Sequence, residues 1–178
     1  QEKTVSQNGI SATTVEIRPK WLDSPIIPVA VVVLILLPFV NKAFHIDDPL
    51  FIWAGQQIQK HPLDFYGFKV NWNGSELPMY NVNKNPPLAS YYIAVIGTFF
   101  GYGEIPLHLG FILPAIAVVV GTFYLAKHFC SNAFLAALIA IANPAFLVSA
   151  TTLMCDTMML AFWVWALFFW IRGIETQR

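Results

Sequence analysis

Charge is what this chain has least of. Only 11% of its 178 residues are charged, ten basic and ten acidic, and they balance to a net charge of zero. A soluble domain carries about a quarter charged residues. The shortfall excludes an ordinary water-soluble domain. The missing positive excess gives a nucleic-acid backbone nothing to bind, so no nucleic acid is expected as a partner. Cysteine is nearly absent, with two residues, which excludes a disulfide framework. Cys130 and Cys155 fall at opposite membrane faces on the topology below, too far apart to bond. No HExxH, CxxC, P-loop or nucleophile-elbow pattern occurs. Zinc proteases, redox proteins and ATPases therefore gain no support.

What the chain does have is apolar surface. Hydrophobic residues make up 57% and aromatics 15%, with mean hydropathy +0.59. This composition predicts an integral membrane protein, all-α and polytopic, with interfacial aromatic belts. The first residue is Gln1 rather than Met. The expectation is a piece of a longer polytopic protein, incomplete and inactive by itself.

Residues 1–23 are polar with mixed charge and read as a cytoplasmic tail. Ser24-Pro25 then opens an apolar run to about residue 40. Ser caps well, and Pro lacks only a donor that a helix start leaves orphaned. The run approaches the lower limit of about 17 residues for a span. Asn41-Lys42-Ala43-Phe44 offers no small-x-small cleavage site, which favours an anchor over a cleaved signal. Residues 42–104 form an external loop. Within it, residues 49–60 read as a short helix capped by Asp48 and ended by His61-Pro62, and Asn73-Gly74-Ser75 signals a turn. Residues 87–100 are apolar but too few for an easy crossing, so an interfacial helix is expected. Longer apolar runs follow at 105–126, 133–150 and 157–171, with Asn143-Pro144 predicting a kink in the second. This gives about four membrane helices over residues 24–172, an external loop with short interfacial helices, and a C-terminal stub at 173–178. The tail, Lys127 and Arg172 then share the cytoplasmic face, as the positive-inside rule prefers. The long loop and Asp156 share the external one.

Acids next to a bilayer invite a functional reading. Asp47 and Asp48 sit just after the first apolar run. Asp48 has a helix-capping role to explain it, whereas Asp47 has none and is a candidate general base. A base must stand within hydrogen-bond reach of its proton, and a neighbouring charge and partial burial raise its affinity for that proton. Asp156 is a candidate helix cap as well. On the face shared with Asp47, it can also help embrace one polar ligand or a divalent metal at an acidic rim. Lys84, in Lys84-Asn85-Pro86-Pro87-Leu88, is either a snorkelling cation or a point charge for a phosphate at headgroup level. His45, His61 and Lys42 are candidate assistants, although such residues are more often plain loop residues.

The order of these pieces resembles the N-terminal part of GT-C fold glycosyltransferases, in the group of protein O-mannosyltransferases and lipid A aminoarabinose transferases. The resemblance rests on Asp47-Asp48-Pro-Leu-Phe-Ile-Trp53-Ala54, Lys84-Asn85-Pro86-Pro87-Leu88-Ala-Ser-Tyr91-Tyr92, Tyr124-Leu-Ala-Lys127-His128-Phe129 and Leu153-Met154-Cys155-Asp156. It implies transfer of a sugar from a polyprenyl-phosphate lipid to an acceptor hydroxyl on a protein, lipid or glycan, with inversion, at the extracytoplasmic face of a bacterial inner membrane. It implies catalytic roles for Asp47, Asp48 and Asp156, with Asp47 as base. Lys84 or Asn85 is implied to meet the lipid phosphate, with His45 and Tyr91 as further substrate-binding candidates. Two positions depart from the pattern: the second acid is Asp48 where Glu is frequent, and Asn85 stands where His or Lys is frequent before Pro-Pro. The competing readings are a fragment of a transporter or permease, to which only Asn143-Pro144 speaks, and a non-catalytic membrane assembly subunit.

Overall fold

The computed structural model describes residues 19–177. The expected cytoplasmic tail therefore lies outside the described residues except for 19–23, where a single 3-10 turn covers Lys20–Asp23. The first apolar run forms α1 (Ile26–Leu36), continued by a 3-10 turn at Leu37–Phe39. The Ser24 hydroxyl accepts from the Ile26 amide, as a capping Ser should. The acid-bearing loop leads into α2 (Asp48–Lys60). A two-stranded antiparallel hairpin follows, β1 (Lys69–Asn71) paired with β2 (Glu76–Pro78). Gly74 turns it with a positive φ of 84°, a conformation that suits glycine. Next come the short α3 (Met79–Val82) and α4 (Leu88–Phe100). The rest is helical: α5 (Glu104–Phe129), α6 (Ala133–Ile141), α7 (Pro144–Ala150) and α8 (Asp156–Thr176).

Hydrogen bonds between distant segments give the direction of each pass. Lys127 at the end of α5 donates to the Asp23 carbonyl before α1 (3.0 Å), and His128 meets Glu175 at the end of α8 (2.9 Å). Those three termini share one end. Lys42, just after α1, donates to the Thr151 carbonyl after α7 (3.0 Å), which marks the other. Halfway between, the Trp165 indole donates to the Ala117 carbonyl (3.0 Å). So α5 and α8 run parallel, and α1 and the α6–α7 pair run against them. The described residues pass through the bundle four times.

The passes differ in length. Among the described residues, only α5 and α8 are long and apolar enough to cross a membrane alone. The α6–α7 pair qualifies as one broken span, and Ile26–Phe39 is shorter. The expected kink at Asn143-Pro144 is a complete break, with a 63° bend between the halves. Pro144 starts α7, and the Asn143 side chain caps it by accepting from the Ala145 amide (2.9 Å). α8 extends past the expected 157–171 to Thr176.

Of the three apolar clusters among the described residues, one packs the hairpin on α2 and two build the bundle and its acid end. One fills the bundle with Val32 and Leu36 of α1, Ala115, Val119 and Phe123 of α5, and Ala137 and Ile141 of α6. The other lies at the Lys42–Thr151 end. There Phe51 and Ile52 of α2, Ile93 of α4 and Phe111 of α5 close around Leu153. α4 thus lies on α2 and the first turns of α5, and does not form a pass of its own. Gly55 permits this closeness: a Cβ there would stand 3.0 Å from the Ile93 side chain and 3.2 Å from the Ser90 carbonyl oxygen.

Candidate active site

The acids collect where the loop after α1 meets the loop before α8. Asp48 is fully buried. One carboxylate oxygen accepts from the His45 amide (2.7 Å), the other from the Leu153 amide (2.8 Å). Both bonds have the short length of a charged acceptor. The capping role expected for Asp48 is not made: α2 begins at Asp48 itself, with no side-chain cap. The reason is local. Pro49 has no N–H to offer, and the Leu50 amide is already taken by the Asp47 carbonyl (3.1 Å), so the carboxylate turns to donors outside the helix. The Leu153 side chain is buried in the cluster beneath α2, and its N–H is the donor that reaches Asp48.

Asp47 is half-buried, and among the described residues its carboxylate has no hydrogen-bond partner. Its amide points toward the His45 ring nitrogen at a long 3.5 Å. His45 itself is exposed. Asp156 is the first residue of α8 and likewise half-buried. The capping bond expected of it is also missing. It faces a small pocket of about 200 Å³ with Asn143, Ser149 and Thr157, at the break between α6 and α7. The structure therefore brings the Asp47–Asp48 doublet and Asp156 to one end of the bundle, with two carboxylates unengaged and one fully engaged.

Lys84 and Asn85 are held by local partners rather than left as free groups. The Lys84 ammonium donates to the Tyr80 carbonyl one turn earlier (2.7 Å) and is exposed. The Asn85 amide donates to the Asn83 side-chain oxygen (3.0 Å). The Asn85 carbonyl accepts from the Tyr66 hydroxyl (2.8 Å). The Tyr91 hydroxyl donates to the Pro62 carbonyl, which turns it toward the loop after α2. An apolar groove of about 380 Å³ runs along α8, lined by Pro86, Leu88, Cys155, Met159, Phe162 and Trp163. Along the helix its lining begins at Cys155, the residue before Asp156.

Burial raises the Tyr66 phenol above its ordinary range, and the nearby Cys155 raises it further. Burial also raises the Cys155 thiol, and the Asp156 charge adds to this, partly offset by a backbone hydrogen bond. Neither the phenol nor the thiol is then a base near neutral pH. Among the described residues, no group of three His, Cys, Asp or Glu side chains gathers to hold a metal ion.

Several residues here are tied into the fold by contacts that the sequence does not show. Tyr66 links Asn85 to the Cys155 neighbourhood. Lys42 holds the Thr151 carbonyl and, at 3.4 Å, its hydroxyl. His108 of α5 is buried against Phe44 (ring centroids 5.8 Å apart), with one ring nitrogen on the Glu104 carbonyl (2.9 Å) and the other without a partner. Each depends on a contact made across the fold or on a backbone atom.

Long apolar helices packed into a bundle, with an apolar groove along α8, describe an integral membrane protein. The chain belongs to the dolichyl-phosphate-mannose-protein mannosyltransferase family, whose model matches residues 84–178. It is thus a membrane glycosyltransferase of the GT-C type, and the family implies a polyprenyl-phosphate sugar as donor. The match takes in Lys84, Asn85 and Asp156 and leaves Asp47 and Asp48 outside it. No curated protein and no solved structure matches the chain.

Proposed function

We propose that this chain supplies the acidic half of an active site that moves a sugar from a polyprenyl phosphate to an acceptor hydroxyl. The observation that carries the reading is the Asp48–Leu153 hydrogen bond, which holds the acid doublet against the start of α8, where the lining of the groove begins. Asp47 takes the acceptor's proton. The freed oxygen attacks the anomeric carbon from the face opposite the phosphate. The bond from that carbon to the phosphate oxygen breaks, the phosphate keeps the electron pair, and the configuration inverts. Asp47 suits this role because its carboxylate is unengaged and half-buried. Asp156 is the second free acid and orients the sugar or the acceptor by accepting hydroxyl hydrogens. The groove takes the first isoprene units, since its lining is apolar and begins at Cys155, next to Asp156. Lys84 reaches the phosphate by giving up its bond to the Tyr80 carbonyl; an ammonium suits a phosphate as a point charge. The Asn85 amide assists as a neutral donor.

On this reading the acid end faces the extracytoplasmic side of a bacterial inner membrane, with the N terminus in the cytoplasm. The acceptor is a protein, lipid or glycan hydroxyl. Asp47→Asn in the complete polypeptide is expected to lower turnover by about 10²-fold or more, the scale of a lost general base, with membrane insertion unchanged. Turnover within a few-fold of wild type would reject Asp47 as the base.

A further inference from the structure

We infer that Lys42 and Asp48 form a two-point clasp that fixes Asp47 relative to Asp156, which makes both of them positioning residues for sugar transfer. The inference rests on the reading of Asp47 as the base. It starts from a coincidence of two long-range ties. Lys42 and Asp48 bracket the segment that carries Asp47. Their partners, Thr151 and Leu153, lie two positions apart on the loop that runs into Asp156. The ties span 109 and 105 residues of sequence. One tie would leave the two loops free to swivel about it; two ties at separated points fix their relative orientation.

Each tie is built to be rigid. Asp48 is fully buried, so water does not compete for its oxygens. Its second oxygen holds the His45 amide, closing a small ring around Ile46 and Asp47. Leu153 is anchored by its side chain, wholly buried among Phe51, Ile52 and Ile93. The Lys42 ammonium meets both the carbonyl and the hydroxyl of Thr151. Asp48 is fully buried with each oxygen holding an amide, so its remaining lone pairs are shielded from a substrate proton. Its effect on transfer therefore passes through Asp47.

The test uses membranes bearing the complete polypeptide, a polyprenyl-phosphate sugar as donor, and amide hydrogen exchange over residues 42–48 and 151–155. Asp48→Asn keeps the volume but has one acceptor oxygen, and it turns an NH2 toward a backbone N–H. It is expected to lower kcat by about 10²-fold, the effect of a misplacement near 1 Å. The donor KM should stay within about twofold, and exchange should quicken at both His45 and Leu153. Lys42→Met is expected to lower kcat by about tenfold, the order of one charge-assisted hydrogen bond. Lys42→Arg should recover most of the loss. The double variant should lose less than the product of the two, because the ties serve one geometry.

Wild-type kcat in Asp48→Asn together with faster exchange would show that the ties hold the fold and do nothing for transfer, overturning the inference. Unchanged exchange at Leu153 would overturn it too. If Asp48→Asn does not accumulate, Lys42→Met against Lys42→Arg decides alone. Asp47→Asn separates this failure from failure of the parent reading. It should be inactive with exchange unchanged, and turnover by Asp47→Asn would remove the base and the clasp's purpose together.

Discussion

At the end of the bundle that carries the acids, distant segments are joined by shielded bonds to backbone atoms. Asp48 holds the Leu153 amide in a fully buried position, and Lys42 holds the Thr151 carbonyl in a partly buried one. At the opposite end, Lys127 reaches the Asp23 carbonyl and His128 meets Glu175, both in exposed settings. Long-range ties of similar length thus join both ends. What differs is the water around them, and burial decides how much a polar contact is worth. The acid end is built to hold a fixed geometry. The other end holds helix termini together through exposed contacts.

The largest test of that contrast is a pair of truncations. Asp48→Ala leaves two amides, those of His45 and Leu153, without their acceptor. Stranded donors at a buried site cost about 3 kcal/mol or more in total. Lys127→Ala removes an exposed contact and an ammonium 4.9 Å from the Phe123 ring centroid, with an expected cost of about 1 kcal/mol or less. Unfolding in mixed detergent, followed by tryptophan fluorescence, measures both. Equal losses would erase the distinction between the ends.

A smaller contrast comes from two helical glycines. Gly55 at the acid end lies against α4, where a Cβ meets the Ile93 side chain and the Ser90 carbonyl. Gly55→Ala is expected to destabilise by about 1–2 kcal/mol as α2 and α4 are pushed apart. Gly173 near the end of α8 has nothing within 4 Å of an added Cβ. Gly173→Ala should stabilise by up to about 1 kcal/mol, through helix propensity alone. The opposite signs make the pair informative in the same unfolding assay.

The sequence disclosed the fold better than the site, and the reasons are physical. Helices announce themselves locally. Ser24-Pro25, Asn143-Pro144 and the short apolar run at 87–100 each placed an element near where it lies, because caps, prolines and run length act within a few residues. The break at Asn143 went further than a kink because Asn143 also caps the helix that follows. The hairpin was legible only through its turn, since strands of three residues are too short to show alternation. Asp48 misled for a different reason. An Asp before Pro-Leu-Phe has the composition of a cap, yet its partner is a backbone amide 105 residues away. A backbone partner has no side-chain signature. The same holds for Lys42 and the Thr151 carbonyl. That the acids share one end followed from counting passes, and the hydrogen-bond directions of α1, α5, α7 and α8 give the same arrangement.

The smallest effect uses the two cysteines as reporters of the two ends. Both are free: Cys130 is exposed after α5, and Cys155 is half-buried before α8. Only the thiolate reacts quickly with a maleimide. Burial, and then the charge of Asp156, raise the Cys155 thiol above its ordinary range, so Cys155 should be labelled slowly near neutral pH and faster as the pH rises. Asp156→Asn removes the negative charge that disfavours the thiolate, which lowers that thiol's affinity for its proton. Labelling of Cys155 should then quicken at fixed pH, while burial keeps it from becoming fully reactive. Labelling of Cys130, at the other end of α5, should not change. A Cys155 rate that ignores Asp156→Asn would separate the acid from the groove, and the shared rim would shrink to the doublet alone.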